Sequence, residues 1–149
     1  MARKTATITI DAPGRDHGRV FSLTEMPARQ AEEWAFRALM AAARAGLDIP
    51  EDMASGGMSV LASVALRGLM GMPWTDAAPL LAEMMGCVRI VPDPSKPNVV
   101  RPVDDEDIEE VATRLKLRME VWTLHTGFSM PAAPSTSPSL ETVAPVTTP

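Results

Sequence analysis

Two histidines, one cysteine and one acidic run are the residues of this chain whose types could do chemistry. His17 sits in the Gly/Pro-containing stretch DAPGRDHGR, and His125 falls near the end of a helical pattern. Neither has a second histidine at ligand spacing, so a metal site would have to recruit carboxylates through the fold. The plainer readings are an exposed loop histidine and a helix-terminal histidine interacting with the helix dipole. The run DDEDIEE, Asp104–Glu110, lacks the glycine turn and spaced oxygen ligands of a calcium loop, and helix N-termini attract carboxylates in any case. Cys87 follows Gly86 and leads into the apolar CVRIV, with no helix start to lower its pKa, which reads as a buried, inert thiol. A single cysteine excludes a disulfide framework and a Cys-based zinc site. Ser55, Gly56 and Gly57 precede a helix without any GxGxxG or Walker pattern, so a helix cap is the default there. GxSxG and HExxH are absent. No catalytic constellation is visible. The expectation is a non-enzymatic protein without metal or cofactor.

The elements that would position any site follow from composition and periodicity. The 149 residues suit one domain, large enough to bury roughly 68–70% of its unfolded surface. The segment after Met130 is rich in Pro, Ser and Thr with Glu141 as its only charge. It predicts a disordered tail over 130–149 behind a single compact domain over 1–129. Thr5–Ile10 and Val20–Thr24 alternate like the strands of a hairpin with a long loop. A helix is expected from about Pro27 to Ala45, with Trp34, Ala35, Ala38, Leu39 and Ala42 on its apolar stripe and Gly46 as its stop. A very apolar helix is expected over Ser55–Met70, carrying Met58, Leu61, Ala65 and Leu69. A short one is expected after an N-cap at Thr75, with Asp76 in its first turn, ending at Gly86. Cys87–Val91 and Val99–Val103 flank the proline-rich PDPSKPN and read as a second, edge-type hairpin. The last helix is expected to start at Asp104 as N-cap, with Val103 and Ile108 as a hydrophobic staple, and to stop at Gly127. Ile108, Val111, Ala112, Leu115, Met119 and Trp122 follow its helical spacing, and this helix and Ser55–Met70 are the favoured contact surfaces. The fold class is therefore α+β, mainly helical, with about four helices, one or two small β-hairpins and the disordered tail.

Charge and apolar content limit the partners. Lys+Arg 14 against Asp+Glu 19 gives a net charge of -5, which argues against binding to nucleic acid or anionic lipid. No apolar run approaches 18 residues and the N-terminal stretch lacks an apolar signal core, so neither a membrane span nor a secretory signal is expected. Hydrophobic residues make up 46% but aromatics only 4%, and eleven methionines supply much of the difference. Methionine-rich helices can be adaptable core filler or adaptable partner surface. The candidate partner-binding residues are Met58, Leu61, Leu69, Trp74, Met84 and Trp122. Trp34, Trp74 and Trp122 are natural anchors, with core packing as the alternative role of each.

Three segments carry a family resemblance when taken together. They are EMPARQAEEWAFRALMA, DAAPLLAEMMGCVRIVPDPSKPNVVRP and DDEDIEEVATRLKLRMEVWTLHTGF. In this order they resemble small tail assembly chaperones of long-tailed bacteriophages and prophages, over most of residues 8–129. The likeness rests on general similarity and on the phrases PDPSKP and LHTGF, with no catalytic signature. It implies a protein that holds the tape measure protein soluble and helps recruit major tail tube subunits around it. It also implies action in the bacterial host cytoplasm and absence from the finished virion. Many such proteins are made in two forms by a programmed ribosomal frameshift, and the join would then fall near or within the tail. Self-association on a long substrate fits this picture, and the oligomeric state is left open. Two other readings compete: a virion structural component, such as a head–tail connector or minor tail protein, and a small phage-encoded regulator. A DNA-binding regulator ranks low, because Arg114, Lys116 and Arg118 share their predicted helix with many carboxylates.

Overall fold

The computed structural model describes residues 2–48 and 67–127. The predicted helix over Ser55–Met70 and the predicted tail lie mostly or wholly outside these residues. Within them the chain runs β1 (Thr5–Thr9), β2 (Val20–Thr24), α1 (Ala28–Arg44), α2 (Trp74–Met85), β3 (Val88–Val91), β4 (Arg101–Pro102) and α3 (Val111–Thr126). Residues 67–71 are also helical. The class is α+β. The two expected hairpins exist, but they are halves of one antiparallel sheet of order β1-β2-β3-β4, joined where β2 pairs with β3.

Register explains which face of the sheet is buried. Ile8, Phe21 and Ile90 stand opposite one another across three strands, as do Ala6, Leu23 and Val88. Side chains of paired residues share a face, so both rows point the same way. Phe21 and Leu23 are fully buried. Trp34 and Ala38 of α1, Leu80 and Met84 of α2, and Leu117 and Val121 of α3 join them in one core. The opposite face carries Thr5, Thr7, Thr9, Ser22, Thr24 and Arg89, with Val20 and the buried Val91 at one end, which leaves it mostly polar. A sheet apolar on one side needs cover on that side only, and α3 lies against both β1 and β2.

Helix ends follow backbone chemistry. α1 starts after Pro27, whose extended backbone (φ -54, ψ 147) places it just before the first helical residue and outside the first turn. It ends at Gly46, where φ is +81. The Gly46 N–H donates to Ala43 O (3.1 Å) and the Leu47 N–H to Ala42 O (3.1 Å), the bond pair of a Schellman ending. A second glycine is needed for close approach. A Cβ on Gly68 would lie 2.8 Å from the Ala42 Cβ, so the helical residues 67–71 meet α1 through a bare backbone.

Two predicted starts are corrected. α2 begins at Trp74 after Pro73, which places Thr75 inside the first turn with no capping role, while Asp76 does lie in that turn. The fixed φ of Pro73 sets the entering chain before Thr75 is reached. α3 begins at Val111, not after Asp104. Asp104 instead forms a capping box with Asp107 around a single 3₁₀ turn, Asp105–Asp107, and Ile108 (φ -132, ψ 110) breaks the path. The physical reason is a buried carboxylate from another part of the chain.

Candidate partner-binding surface

That carboxylate is Asp16, in the loop between β1 and β2 and 1% exposed. Its Oδ1 accepts the Glu109 N–H (3.0 Å) and its Oδ2 the Glu110 N–H (2.9 Å). These two groups enter α3, so Asp16 acts as an N-terminal cap supplied from a distant segment. Burial alone would raise the Asp16 carboxyl. The Glu109 and Glu110 N–H groups, the Thr113 hydroxyl and the Arg19 charge outweigh it and hold the carboxyl below its ordinary value.

A second buried carboxylate completes the attachment. Arg101 donates to both oxygens of Asp107, at 2.6 and 2.7 Å, and Asp107 also accepts the Asp104 N–H at 2.7 Å. The Arg101 hydrogen bonds, against the opposing effect of burial, hold the Asp107 carboxyl below its ordinary value. The Arg19 guanidinium donates to the carbonyls of Glu106 and Asp107. Arg15 bonds Glu110 Oε1 (3.1 Å) and Glu109 O (2.8 Å). Asp104, Asp107, Glu109 and Glu110 of the acidic run are thus engaged in internal bonds, while Asp105 and Glu106 are exposed. Among the described residues, no cluster of three or more His, Cys, Asp or Glu side chains could hold a metal ion.

The helix held this way turns an apolar stripe outward. Thr113, Leu117 and Val121 are the buried residues of α3. Val111, Leu115 and Met119 are exposed by 73%, 56% and 51%, and Ala112 is exposed beside them. The stripe read from the spacing thus faces away from the core, apart from Ile108, which is buried before the helix begins, and Trp122. Trp122 is half-buried and meets Trp34 edge-on, with ring centroids 5.9 Å apart. Arg118 flanks the stripe; its Nε is buried without a hydrogen-bond partner among the described residues. Burial and then the nearby Arg114 hold its pKa below the ordinary arginine value.

The predicted contact residues separate. Met58 and Leu61 lie outside the described residues. Leu69 is half-buried against the core. Met84 is 5% exposed inside the core, which removes it from any available surface. Trp74 is 72% exposed at the start of α2. Trp34 is buried, donating its indole N–H to Leu80 O at 3.0 Å, so it is a core anchor. Phe36 and Met40 on α1 add exposed apolar area that sequence periodicity did not single out. Between α1 and α2 a groove of about 170 Å³ is lined by Met40, Ala41, Pro79 and Leu80. Its rim holds Arg37, paired with Glu83 at 2.6 Å, and Arg44, paired with Asp76 at 3.6 Å.

The remaining chemistry-bearing residues have internal roles. His17 bonds the carbonyls of Asp11 and Ala12 in its own exposed loop. His125 does more than face a helix terminus. Its Nε2 accepts the Met26 N–H (2.8 Å), which makes Nδ1 the protonated nitrogen that donates to Val121 O (2.8 Å). It ties the junction of β2 and α1 to the end of α3. Cys87 is buried, and burial pushes its thiol up, away from the reactive thiolate. No described helix is long and apolar enough to cross a membrane.

No family model, curated protein or solved structure matches the chain. The arrangement itself is suited to contact: an apolar, methionine-containing helix face with arginine beside it, held from behind by buried ionic bonds.

Proposed function

We propose that this chain is a tail assembly chaperone of a long-tailed phage or prophage. It binds the tape measure protein in the cytoplasm of a bacterial host, helps recruit tail tube subunits, and leaves before the virion is complete. The family resemblance of the sequence supplies the identity of the partner. The observation that carries a binding role is the outward stripe of Val111, Leu115 and Met119. Exposed apolar side chains at every fourth position offer a helical partner a continuous seam. Methionine lets such a seam adapt to varied sequence. Net charge -5 keeps the free protein in solution while the seam is empty.

Co-expression with the tape measure protein of the same phage, followed by co-purification, tests the reading. The wild-type chain is expected to form a complex. Leu115→Lys and Met119→Lys are expected to abolish it while changing stability by less than about 0.5 kcal/mol, because both side chains are exposed. Absence of a complex with the wild-type chain would overturn the proposal. Stoichiometric presence of the protein in purified particles, read by mass spectrometry, would replace it with a virion structural role.

A further inference from the structure

The strand β1 is an open edge of the sheet. The direction of its free backbone groups follows from its printed bonds. Ile10 N–H donates to Arg19 O, Ile10 O accepts from Gly18, and Lys4 O accepts from the Glu25 N–H, all on the β2 side. Backbone groups alternate sides along a strand, so those of Thr5, Thr7 and Thr9 point away from β2. Among the described residues no strand pairs with that side. The strand TATIT contains no proline, glycine or charge, which are the usual protections of an exposed edge.

We infer that β1 pairs antiparallel with β1 of a second copy of this chain about a two-fold axis at Thr7. The sequence is self-complementary in that register. Thr7 stands opposite Thr7 of the second copy, and Thr5 opposite Thr9, all with outward backbone groups ready to exchange hydrogen bonds. Ala6 stands opposite Ile8 on the core side. Both are only partly buried at the rim of their own core, so the pairing joins the two cores. Two residues beyond each strand end, Arg3 stands opposite Asp11 of the second copy; within one copy the Arg3 guanidinium donates to Glu25 O (3.3 Å) and the Asp11 carboxylate faces Lys116 Nζ (3.5 Å), so the match adds a second partner to each. Both residues are exposed. A slip of two residues in either direction loses both charge matches, setting Arg3 opposite Pro13 or Thr9. A self-complementary patch of this kind closes as a dimer and goes no further.

The inference is independent of the tail-assembly reading, since it uses a different face and a different partner. Sedimentation velocity of the full chain, from low micromolar to about 500 µM, tests it. A monomer–dimer equilibrium is expected. Thr7→Pro should give a monomer with an unchanged circular dichroism spectrum, because the lost N–H points away from β2. Arg3→Asp and Asp11→Arg should each weaken the dimer about tenfold, and the double variant should restore it. The charge variants lie outside the strand, and because Asp11→Arg also breaks the Asp11–Lys116 pair within one copy, it is the restoration in the double variant that decides the matter even if Thr7→Pro disturbs folding. A wild-type monomer at about 500 µM, a dimer indifferent to a folded Thr7→Pro, or a double variant as weak as the singles would each overturn the inference.

Discussion

Arg118 and Asp16 show opposite ways of burying a charged group. The Arg118 Nε lies buried with no partner among the described residues, whereas every contact of Asp16 serves its charge. An unpaired buried donor costs free energy that a well-packed apolar side chain does not. Arg118→Met keeps the aliphatic length and removes that donor. The variant is expected to be as stable as the wild type or more so by about 1 kcal/mol, read by urea unfolding, and to bind the tape measure protein more weakly. A loss of stability would show that the guanidinium is well paired in the folded chain. Sequence reading reached the local properties of single residues, such as the inert Cys87 and the core role available to Trp34. It missed Asp16, because the N–H groups that define Asp16 belong to Glu109 and Glu110, and no spacing rule joins them.

At the scale of elements, β2 was legible to the residue and α1 nearly so. Phe21 and Leu23 alternate cleanly with Val20, Ser22 and Thr24, and Trp34, Ala38 and Ala42 lie on one side of α1 with charges elsewhere. α3 was legible as a helix ending at Gly127, but its start and its inward face were not, and its own sequence explains why. Leu117 and Val121 form one apolar face, while Val111, Leu115 and Met119 form another. Periodicity then fits either face, and only the Asp16 attachment selects which one turns inward. The contact of residues 67–71 with α1 makes a sharper test. Gly68→Ala would ordinarily gain about 1 kcal/mol within a helix. Here its Cβ would lie 2.8 Å from the Ala42 Cβ, which has no flexible end to move aside. The expected net effect is a loss of about 1–2 kcal/mol in chemical denaturation. Ala42→Gly in the same chain should recover part of the loss, as a double-mutant cycle would show.

For the whole molecule, the two buried carboxylates set the response to acid. Asp16 and Asp107 both have folded pKa values below their ordinary 3.8. A depressed carboxylate adds stability above its unfolded pKa and loses it as pH falls through the folded value. The melting temperature is therefore expected to be level from pH 7 to about pH 5 as far as these two groups are concerned, and to fall steeply below about pH 4. Asp16→Asn should lower stability at pH 7 and flatten the acid limb; an unchanged limb would remove Asp16 from this role. The same attachment has a consequence in time. Its bonds join residues 93 and 94 positions apart in the chain, linking the first loop of the described fold to its last helix. Contacts of such separation form late, after most of the intervening chain has condensed. Asp16→Asn is then expected to speed unfolding more than it slows folding, so that the lifetime of the folded chain is what the substitution shortens in stopped-flow measurements.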